Sequence, residues 1–346
     1  MAASYNVRFE PVGVEMDVQE GETVLEAGFR QGIALMHGCK EGQCSACKSL
    51  LVEGDIELLK HSTFALPEYE RDNNHILLCR THAYSDLVIE LLNYDEDMLS
   101  RSIAVKPFGA RVVGLQALTH DIRLLSIELD APLRFWAGQY VDITLPEHGI
   151  TRSFSMANAP KADNRADFII KRYEDGAFSA RLDGDIHEGD ILKAKGPYGT
   201  CFRREGRSGP MVLLGGGSGM SPLLSILADQ AASGEQRPVR LFYGARQQRD
   251  LFWQDEIARI AKPIEDFRFI PALSDADADT AWQGERGLIH DVMARLLREE
   301  ALDGDIDAYA CGPPPMIDAA LPALRMAGCE PEHIHFDKFT PAARES

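Results

Sequence analysis

The spacing of hydrophobic positions changes along the chain and divides it into three parts. Residues 1–96 contain short alternating apolar runs around one helical segment, and residues 107–207 contain strand-like runs separated by turns. Residues 208–346 alternate strand-like and helix-like runs. These patterns predict a small α+β domain, an antiparallel β-barrel and an α/β domain with a parallel, Rossmann-like sheet. Residues 97–106 are predicted to link the first two parts.

In the first part, apolar side chains alternate in part over residues 5–18, which predicts two strands in a hairpin around Gly13. Thr23-Val-Leu-Glu26 has the spacing of a capping box and predicts a helix that ends near Gln31, before Gly32. A strand and turn are predicted at 49–56, and a closing strand at 87–92. Strands with one helix in about 95 residues predict a β-grasp-like domain.

The other two parts are predicted in similar detail. Barrel strands are expected at 110–115, 122–129, 139–145, 168–172 and 190–195. In the last part, strands are expected at 211–214, 239–243, 267–271 and 308–311, and helices from Pro222, near 253–260, near 289–297 and from Pro315.

Composition and charge narrow the function. The chain has 346 residues, of which 45% are hydrophobic and 26% are charged, as in an ordinary globular protein. Its net charge is −18. Residues 1–100 hold seven Lys or Arg and eighteen Asp or Glu, which disfavours nucleic acid and anionic membranes as partners. No run approaches the roughly 20 apolar residues of a membrane span, and no signal peptide is recognisable. Because no disulfide framework is evident, a cytoplasmic protein is expected.

Potential metal ligands are concentrated in residues 39–47. Three cysteines there follow the pattern C-x4-C-x2-C, and a fourth cysteine lies at position 79. This is the plant-type spacing of [2Fe–2S] ligands. Gly38 and Gly42 suit a tight loop around such a group. A structural zinc site is the alternative, but zinc sites usually pair two short C-x2–4-C units. The predicted cluster ligands are Cys39, Cys44, Cys47 and Cys79.

Two stretches of the predicted barrel, Arg152–Ser155 and Gly176–Leu182, resemble flavin-binding motifs of the ferredoxin-NADP reductase superfamily. The resemblance implies that Arg152 offers a cation to a diphosphate, that Phe154 covers a flavin face and that Ser155 hydrogen-bonds near N5, where hydride arrives. Gly176–Ser179 is predicted to open a helix whose free N–H groups bind phosphate oxygens. Either stretch alone is also compatible with an ordinary strand or turn.

Together the two stretches resemble the ferredoxin-NADP reductase superfamily. Arg152-Ser-Phe-Ser155 resembles its R-x-[YF]-[ST] motif, and Gly176–Leu182 resembles its G-x-x-S-x-x-L motif. Because the second motif serves a diphosphate, the resemblance implies FAD rather than FMN. The FAD residues that it implies are Arg152, Ser153, Phe154, Ser155, Ile170, Lys171, Gly176, Phe178 and Ser179, with Ser155 also catalytic.

A nicotinamide site is indicated near the C-terminus. Residues 212–222 have the pattern of a strand, a glycine turn and a helix start, although Met220 departs from G-x-G-x-x-G. The turn resembles the superfamily's G-[TS]-G-x-x-P, and Ala310–Met316 resembles its C-G-P-P-x-M, which implies that Cys311 is catalytic beside nicotinamide C4. A tight βα turn and a buried thiol are the alternatives. The nucleotide residues implied are Gly217, Ser218, Gly219, Pro222, Arg246, Gly312 and Pro313.

The choice between NADH and NADPH rests on fewer residues. Phe242–Arg246 with Asp250–Phe252 resembles the NADH-preferring members, whereas Arg246 and Arg249 could meet a 2′-phosphate; we predict NADH. His335–Pro341 resembles the E-[KR]-F ending of multicomponent monooxygenase reductases, with Asp337 in place of the Glu. Phe339 is expected near the flavin, and a core position is an equal alternative.

The three predicted sites imply one electron-transfer route, from NADH through the flavin to the cluster. NADH gives two electrons as hydride, a [2Fe–2S] cluster takes one at a time, and a flavin can join the two. The domain order resembles reductase components of soluble di-iron monooxygenases, closest to the methane, phenol and propane systems. The resemblance implies a di-iron hydroxylase and a small coupling protein as partners. A reductase for a Rieske dioxygenase, a self-contained flavin oxidase and a non-enzymatic protein with decayed motifs are the alternatives.

Overall fold

The computed structural model describes residues 3–161, 163–276, 281–302 and 304–339. These residues form two compact units, of which the first comprises residues 1–106 with 196–200 and the second comprises residues 107–195 with 201–346. The predicted domain boundaries at 96, 106 and 207 stay predictions. Thr340 and Pro341, which belong to the quoted C-terminal motif, lie outside the described residues.

The first unit is a mixed sheet with one main helix, as predicted. Its five-stranded sheet has the order β2-β1-β7-β3-β5, and β4 pairs with β6. Strand β1 runs antiparallel to β2 and parallel to β7. The elements are β1 (Ser4–Glu10), β2 (Val14–Gln19), α1 (Val24–Gln31), β3 (Lys48–Glu53), β4 (Ile56–Leu58), α2 (Glu68–Arg71), β5 (His75–Leu77), β6 (Thr81–Ala83), β7 (Leu87–Leu91) and α3 (Glu96–Ser100).

Local signals fix both ends of helix α1. The Thr23 hydroxyl accepts the Glu26 N–H at 3.2 Å, and Glu26 accepts the Thr23 N–H at 2.9 Å. Gly32 ends the helix with φ of 73°. The capping box predicted from the sequence is therefore confirmed, and it turns Val24 and Leu25 into the core of the sheet.

The predicted linker contains structure of its own. Helix α3 begins one residue before it and extends into it, capped by the Asp95 carboxylate, which accepts the Met98 N–H at 3.0 Å. Beyond the helix, the Ser102 hydroxyl donates to the Gly32 carbonyl, and the Val105 N–H donates to the Phe29 carbonyl at 3.0 Å. These bonds attach residues 102–105 to the end of α1.

The second unit begins with an antiparallel sheet of order β11-β10-β13-β8-β9-β12. An isolated bridge between Met156 and Phe168 joins the two edges, so the sheet closes into the predicted barrel around a core that includes Leu125, Ile143 and Phe168. Its strands are β8 (Lys106–Ala117), β9 (Ile122–Leu129), β10 (Tyr140–Leu145), β11 (Ile150–Ser155), β12 (Arg165–Lys171) and β13 (Ile191–Tyr198).

The rest of the second unit is a parallel sheet of order β17-β16-β15-β14-β18-β19. Apolar clusters cover both of its faces, which confirms the predicted α/β arrangement. The elements are β14 (Met211–Gly216), α4 (Met220–Ser233), β15 (Val239–Ala245), α5 (Gln254–Ala261), β16 (Phe267–Leu273), β17 (Glu285–Arg286), α6 (Ile289–Glu300), β18 (Asp307–Gly312), α7 (Pro314–Met326) and β19 (Ile334–Lys338).

Two predicted helix starts differ from the structure. A helix was expected to open at Gly176–Ser179, but only a five-residue 3-10 helix, Ser179–Asp183, forms there. It stops because the N–H groups of Gly184, Asp185 and Ile186 all bond to the Arg181 carbonyl and reverse the chain. Helix α4 begins at Met220, so Pro222 lies in its first turn rather than at its start.

Candidate functional site

The cysteine loop of the first unit turns its backbone N–H groups toward sulfur. Cys39 Sγ accepts the Gln43 N–H at 3.1 Å and the Glu41 N–H at 3.4 Å, while Cys44 Sγ accepts the Cys39 N–H at 3.2 Å. Gly42 makes this path possible with φ of 71°. Such convergent donors favour negative charge on the sulfurs.

The four cysteines lie as two pairs. Cys47 Sγ and Cys79 Sγ are 3.3 Å apart although 32 residues separate them, and Cys44 hydrogen-bonds to Cys39. The Cys44 bond lowers the pKa of Cys39 to about 5, and the Cys79 bond lowers the pKa of Cys47. The same bonds raise the pKa of Cys44 and of Cys79. Two pairs of cysteine sulfurs are the donor set that two irons need.

A single metal ion fits the loop less well. Among the described residues, no three His, Cys, Asp or Glu side chains converge on a common metal position. A hydrogen-bond donor also lies beside the cysteine loop. Arg80 Nε is buried without a hydrogen-bond partner, and the Arg80 side chain packs against Gly42. This N–H is available to an anionic group held by the cysteines.

One side of the loop faces solvent. Cys44 is exposed, and residues 61–66 are held beside it, since the Ser45 hydroxyl donates to the Ala65 carbonyl at 2.9 Å and the Ser62 N–H donates to the Gly42 carbonyl at 3.0 Å. Phe64, in this segment, is 87% exposed. The loop therefore combines buried ligands with an accessible edge.

In the second unit, the predicted flavin residues share the end of β11. Phe154 packs its ring on Phe178, with centroids 4.8 Å apart, and Ser155 is buried. The Ser153 hydroxyl donates to Asp142 at 2.6 Å. Arg152 Nη1 donates to the Thr151 carbonyl at 2.7 Å. Among the described carboxylates, none forms an ion pair with Arg152, so its charge is available to an anion.

The two predicted residues of β12 are placed differently. Lys171 Nζ forms an ion pair with Asp121 at 3.2 Å, and the Ile170 side chain lies in the barrel core. Only the backbone of Ile170 is therefore available to a ligand. Gly176 and Ser179 stand close together, because a Cβ on Gly176 would lie 2.2 Å from Ser179 Oγ. That hydroxyl already accepts the Tyr173 N–H at 3.1 Å.

The predicted nicotinamide residues meet at the carboxyl edge of the parallel sheet. In register, Gly215 lies opposite Cys311 and Gly216 opposite Gly244. A Cβ on Gly219 would lie 2.2 Å from the Cys311 carbonyl oxygen, so only glycine permits this approach. Ser218 lies in the same turn, partly exposed. In parallel α/β sheets, this edge is where ligands bind.

Cys311 ends β18 and is fully buried. Its sulfur lies 3.8 Å from Cys201 Sγ, and the contact with Cys201 together with burial raises its pKa, so the thiol is neutral. The carbonyl of Gly312 accepts the Phe339 N–H at 2.8 Å, which brings Phe339 to this edge, and Pro313 caps α7. Arg246, exposed, follows β15 at the same edge.

Comparisons with known proteins agree with this arrangement. Three family models match: a 2Fe-2S iron-sulfur cluster binding domain (residues 7–84), an oxidoreductase FAD-binding domain (110–202) and an oxidoreductase NAD-binding domain (213–321). The propane 2-monooxygenase reductase component of Mycolicibacterium goodii is 44% identical, covering 98% of each chain. The chain belongs to the reductase components of multicomponent monooxygenases.

A further relative and a solved structure are also similar over nearly the whole chain. The phenol 2-monooxygenase reductase component of Pseudomonas sp. (strain CF600) is 37% identical over 98% of this chain and 96% of its own. The solved Amycolatopsis cytochrome P450 reductase superposes with a TM-score of 0.88 at 30% identity, covering 98% of this chain and 100% of its own. The reductase family thus confirms an electron-transferring oxidoreductase with [2Fe–2S], FAD and NAD domains.

The sequence missed two residues at these sites of the reductase. Ser221 on α4 bonds to the end of the flavin strand, and Cys201 touches Cys311. For Ser221, its place in the largely apolar run 220–228 was the available signal. No helix among the described residues has the length and apolarity to cross a membrane.

Proposed function

We propose that this reductase takes hydride from NADH and passes single electrons to the di-iron hydroxylase of a small-alkane monooxygenase, with propane the reference substrate. The observation that carries the proposal is the 44% identity to a propane 2-monooxygenase reductase component over 98% of both chains. That span includes all three candidate sites, so the similarity extends beyond any one cofactor domain.

Bound FAD would supply the exchange between a two-electron donor and a one-electron acceptor. Around it, Arg152 would hold the diphosphate, Phe154 would cover the ring, and Ser155 would orient the edge that receives hydride. The remaining FAD contacts come from Ser153, the backbone of Ile170 and Lys171, Gly176, Phe178 and Ser179, and Phe339 lies near the flavin. Burial of Ser155 and Cys311 keeps water away from the transferred hydride.

The nucleotide site is proposed to form from the glycine turn and the end of β18. Gly219 approaches the Cys311 carbonyl closely, and the backbone N–H groups at this helix start would bind the pyrophosphate. Cys311, neutral and buried, packs against the nicotinamide and positions C4 without ionising. The other contacts proposed are Gly217, Ser218, Pro222, Arg246, Gly312 and Pro313.

In the first unit, Cys39, Cys44, Cys47 and Cys79 are the proposed cluster ligands. Their backbone donors and the buried Arg80 Nε offset the negative charge of four thiolates. We further propose a cytoplasmic location and a small coupling protein as a third component.

An anaerobic NADH titration, followed by visible absorbance and low-temperature EPR, tests the internal route. Flavin bleaching together with a rhombic [2Fe–2S] signal is expected. Flavin bleaching without that signal would contradict the proposed route. The same titration with NADPH tests the nucleotide, and NADH is expected to have at least a tenfold lower KM.

Turnover with purified partners tests the acceptor. NADH oxidation is expected to be coupled to alkane hydroxylation when the di-iron hydroxylase and coupling protein of a propane system are added. Efficient reduction of a Rieske oxygenase and none of the hydroxylase would replace the proposal with the dioxygenase alternative. Oxygen as the sole efficient acceptor would indicate a flavin oxidase.

A further inference from the structure

The start of helix α4 contacts both the proposed nucleotide edge and the strand that carries the flavin motif. Gly219, immediately before the helix, lies against the Cys311 carbonyl at the nucleotide edge. Two residues later, the Ser221 hydroxyl donates to the Ser155 carbonyl at 2.7 Å. Ser155 ends the strand that carries the flavin motif.

Ser221 makes a second bond with the barrel. Its oxygen accepts the N–H of Ile169, on β12, at 3.3 Å. One buried hydroxyl, 1% exposed, therefore links the end of β11, strand β12 and helix α4. Both bonds involve backbone atoms, so they fix the strand itself rather than a mobile side chain. A buried hydroxyl used as donor and acceptor at once leaves little freedom to either partner.

We infer that Ser221 is a positioning residue for hydride transfer, which sets the spacing between the flavin strand at Ser155 and the nucleotide edge at Cys311. The inference rests on the proposed function. Hydride transfer depends steeply on the distance and alignment of donor and acceptor, and misplacement of about 1 Å can cost about 100-fold in rate. A residue that contacts neither nucleotide nor flavin can therefore control the rate through the backbone that holds Ser155.

The chain offers a matched control one helical turn away. The Ser225 hydroxyl donates to the Asn158 carbonyl at 2.7 Å, and Ser225 is also fully buried. It lies on the same helix and makes the same kind of bond of the same length, but to a backbone position three residues beyond Ser155. The bond to a backbone carbonyl is lost in both alanine variants, and Ser221→Ala loses the bond from the Ile169 N–H as well. Only Ser221 holds the flavin motif.

The test compares full-length, cofactor-loaded Ser221→Ala, Ser221→Thr and Ser225→Ala with the wild type in anaerobic stopped-flow. The expected result for Ser221→Ala is a limiting rate of flavin reduction by NADH about tenfold lower, with the Kd for NADH changed less than about threefold. The primary isotope effect with C4-deuterated NADH should increase, and the long-wavelength charge-transfer band of reduced flavin with NAD should weaken. Ser221→Thr, which keeps the hydroxyl, should restore most of the rate.

Three results would overturn the inference: a Ser221→Ala rate equal to the wild type, equal losses in Ser221→Ala and Ser225→Ala, or a loss explained wholly by FAD content. If Ser221→Ala does not fold, Ser221→Cys replaces it, and an unchanged rate in that variant overturns the inference as well. The wild-type measurement distinguishes failure of the proposed function from failure of the positioning role of Ser221. If wild-type flavin is not reduced by NADH, the proposed function fails; if it is and Ser221→Ala matches it, only the positioning role fails.

Discussion

The cysteine loop and the proposed nucleotide edge are built in opposite ways. Three of the four proposed cluster ligands lie within nine consecutive residues, and the loop offers backbone N–H donors beside an exposed edge. The nucleotide edge is assembled from strand ends about a hundred residues apart, around a thiol with no exposed surface. The first site depends on the path of one loop, whereas the second depends on the packing of a whole sheet.

The sharpest way to break this comparison is to remove the one distant ligand of the loop. Cys79→Ala is expected to abolish the [2Fe–2S] cluster, because one iron loses half of its protein thiolates. FAD content and NADH-to-ferricyanide activity should persist, since the two units are compact on their own. Iron content, EPR and visible absorbance measure the outcome.

Cys329→Ala serves as the control for that variant. Cys329 is also buried, but its sulfur donates to backbone carbonyls, such as that of Ile306 at 3.1 Å, rather than to another described cysteine. The Cys329→Ala variant should therefore keep a full cluster. Loss of flavin as well as iron in Cys79→Ala would show that the two sites are not independent.

The nucleotide edge should respond most to a change in packing. In Gly219→Ala the new methyl group would lie 2.2 Å from the Cys311 carbonyl oxygen, so the turn must move. Flavin reduction by NADH should fall more than tenfold, and the free energy of unfolding of the second unit should fall by about 1–3 kcal/mol. Stopped-flow and urea unfolding, followed by tryptophan fluorescence, measure the two effects.

Tryptophan fluorescence suits that measurement because Trp136, Trp253 and Trp282, the chain's three tryptophans, all belong to the second unit. Gly184→Ala is the matched control, since Gly184 has open space around its Cβ position and an ordinary φ of −149°. If both variants behaved alike, close approach would not be the reason for glycine at 219.

A smaller effect is expected from the thiol itself. Cys311→Ala removes a buried group that is neutral because burial and Cys201 raise its pKa. It should slow flavin reduction about tenfold or less while iron content stays unchanged. An unaltered hydride-transfer rate would exclude Cys311 from the site.

The smallest expected effect concerns pH. Asp337 lies opposite Cys311 in the sheet, and burial raises its pKa to about 6 from 3.8. The folded state therefore binds a proton more tightly than the unfolded state, so this carboxyl lowers stability as pH rises from about 4 to 6. Asp337→Asn should be relatively more stable at pH 7 than at pH 5, by about 1–2 kcal/mol.

Tryptophan fluorescence during urea unfolding at pH 5, 6 and 7 measures that difference in the second unit. The comparison with the wild type cancels carboxylates that both proteins share. Parallel stability curves for the two proteins would mean that Asp337 titrates as an ordinary exposed carboxyl.

The same contrast explains what could be predicted from the sequence. The cysteine spacing and the Thr23 capping box are local, so their chemistry can be read from adjacent residues. The ion pair of Lys171 with Asp121 and the bonds of Ser221 join residues distant in sequence, and no local pattern specifies them. Strand β19 was missed for this reason too, because it exists only by pairing with β18.

The helix expected at Gly176 failed for a related reason. Glycine and serine are common helix-start residues, but the N–H groups that follow Arg181 all bond to its carbonyl and end the turn after five residues. A start signal is visible in the sequence, whereas the competing bonds depend on where the chain goes next.

The left-handed path of the cysteine loop has an evolutionary consequence. Lys40, Gly42 and Ser45 all have positive φ, between 60° and 71°, and the donors that face sulfur belong to the main chain. Exposed side chains of this loop are therefore free to diverge under selection for different electron acceptors. β-Branched residues at these three positions should be strongly selected against, because they distort the path on which the donors depend.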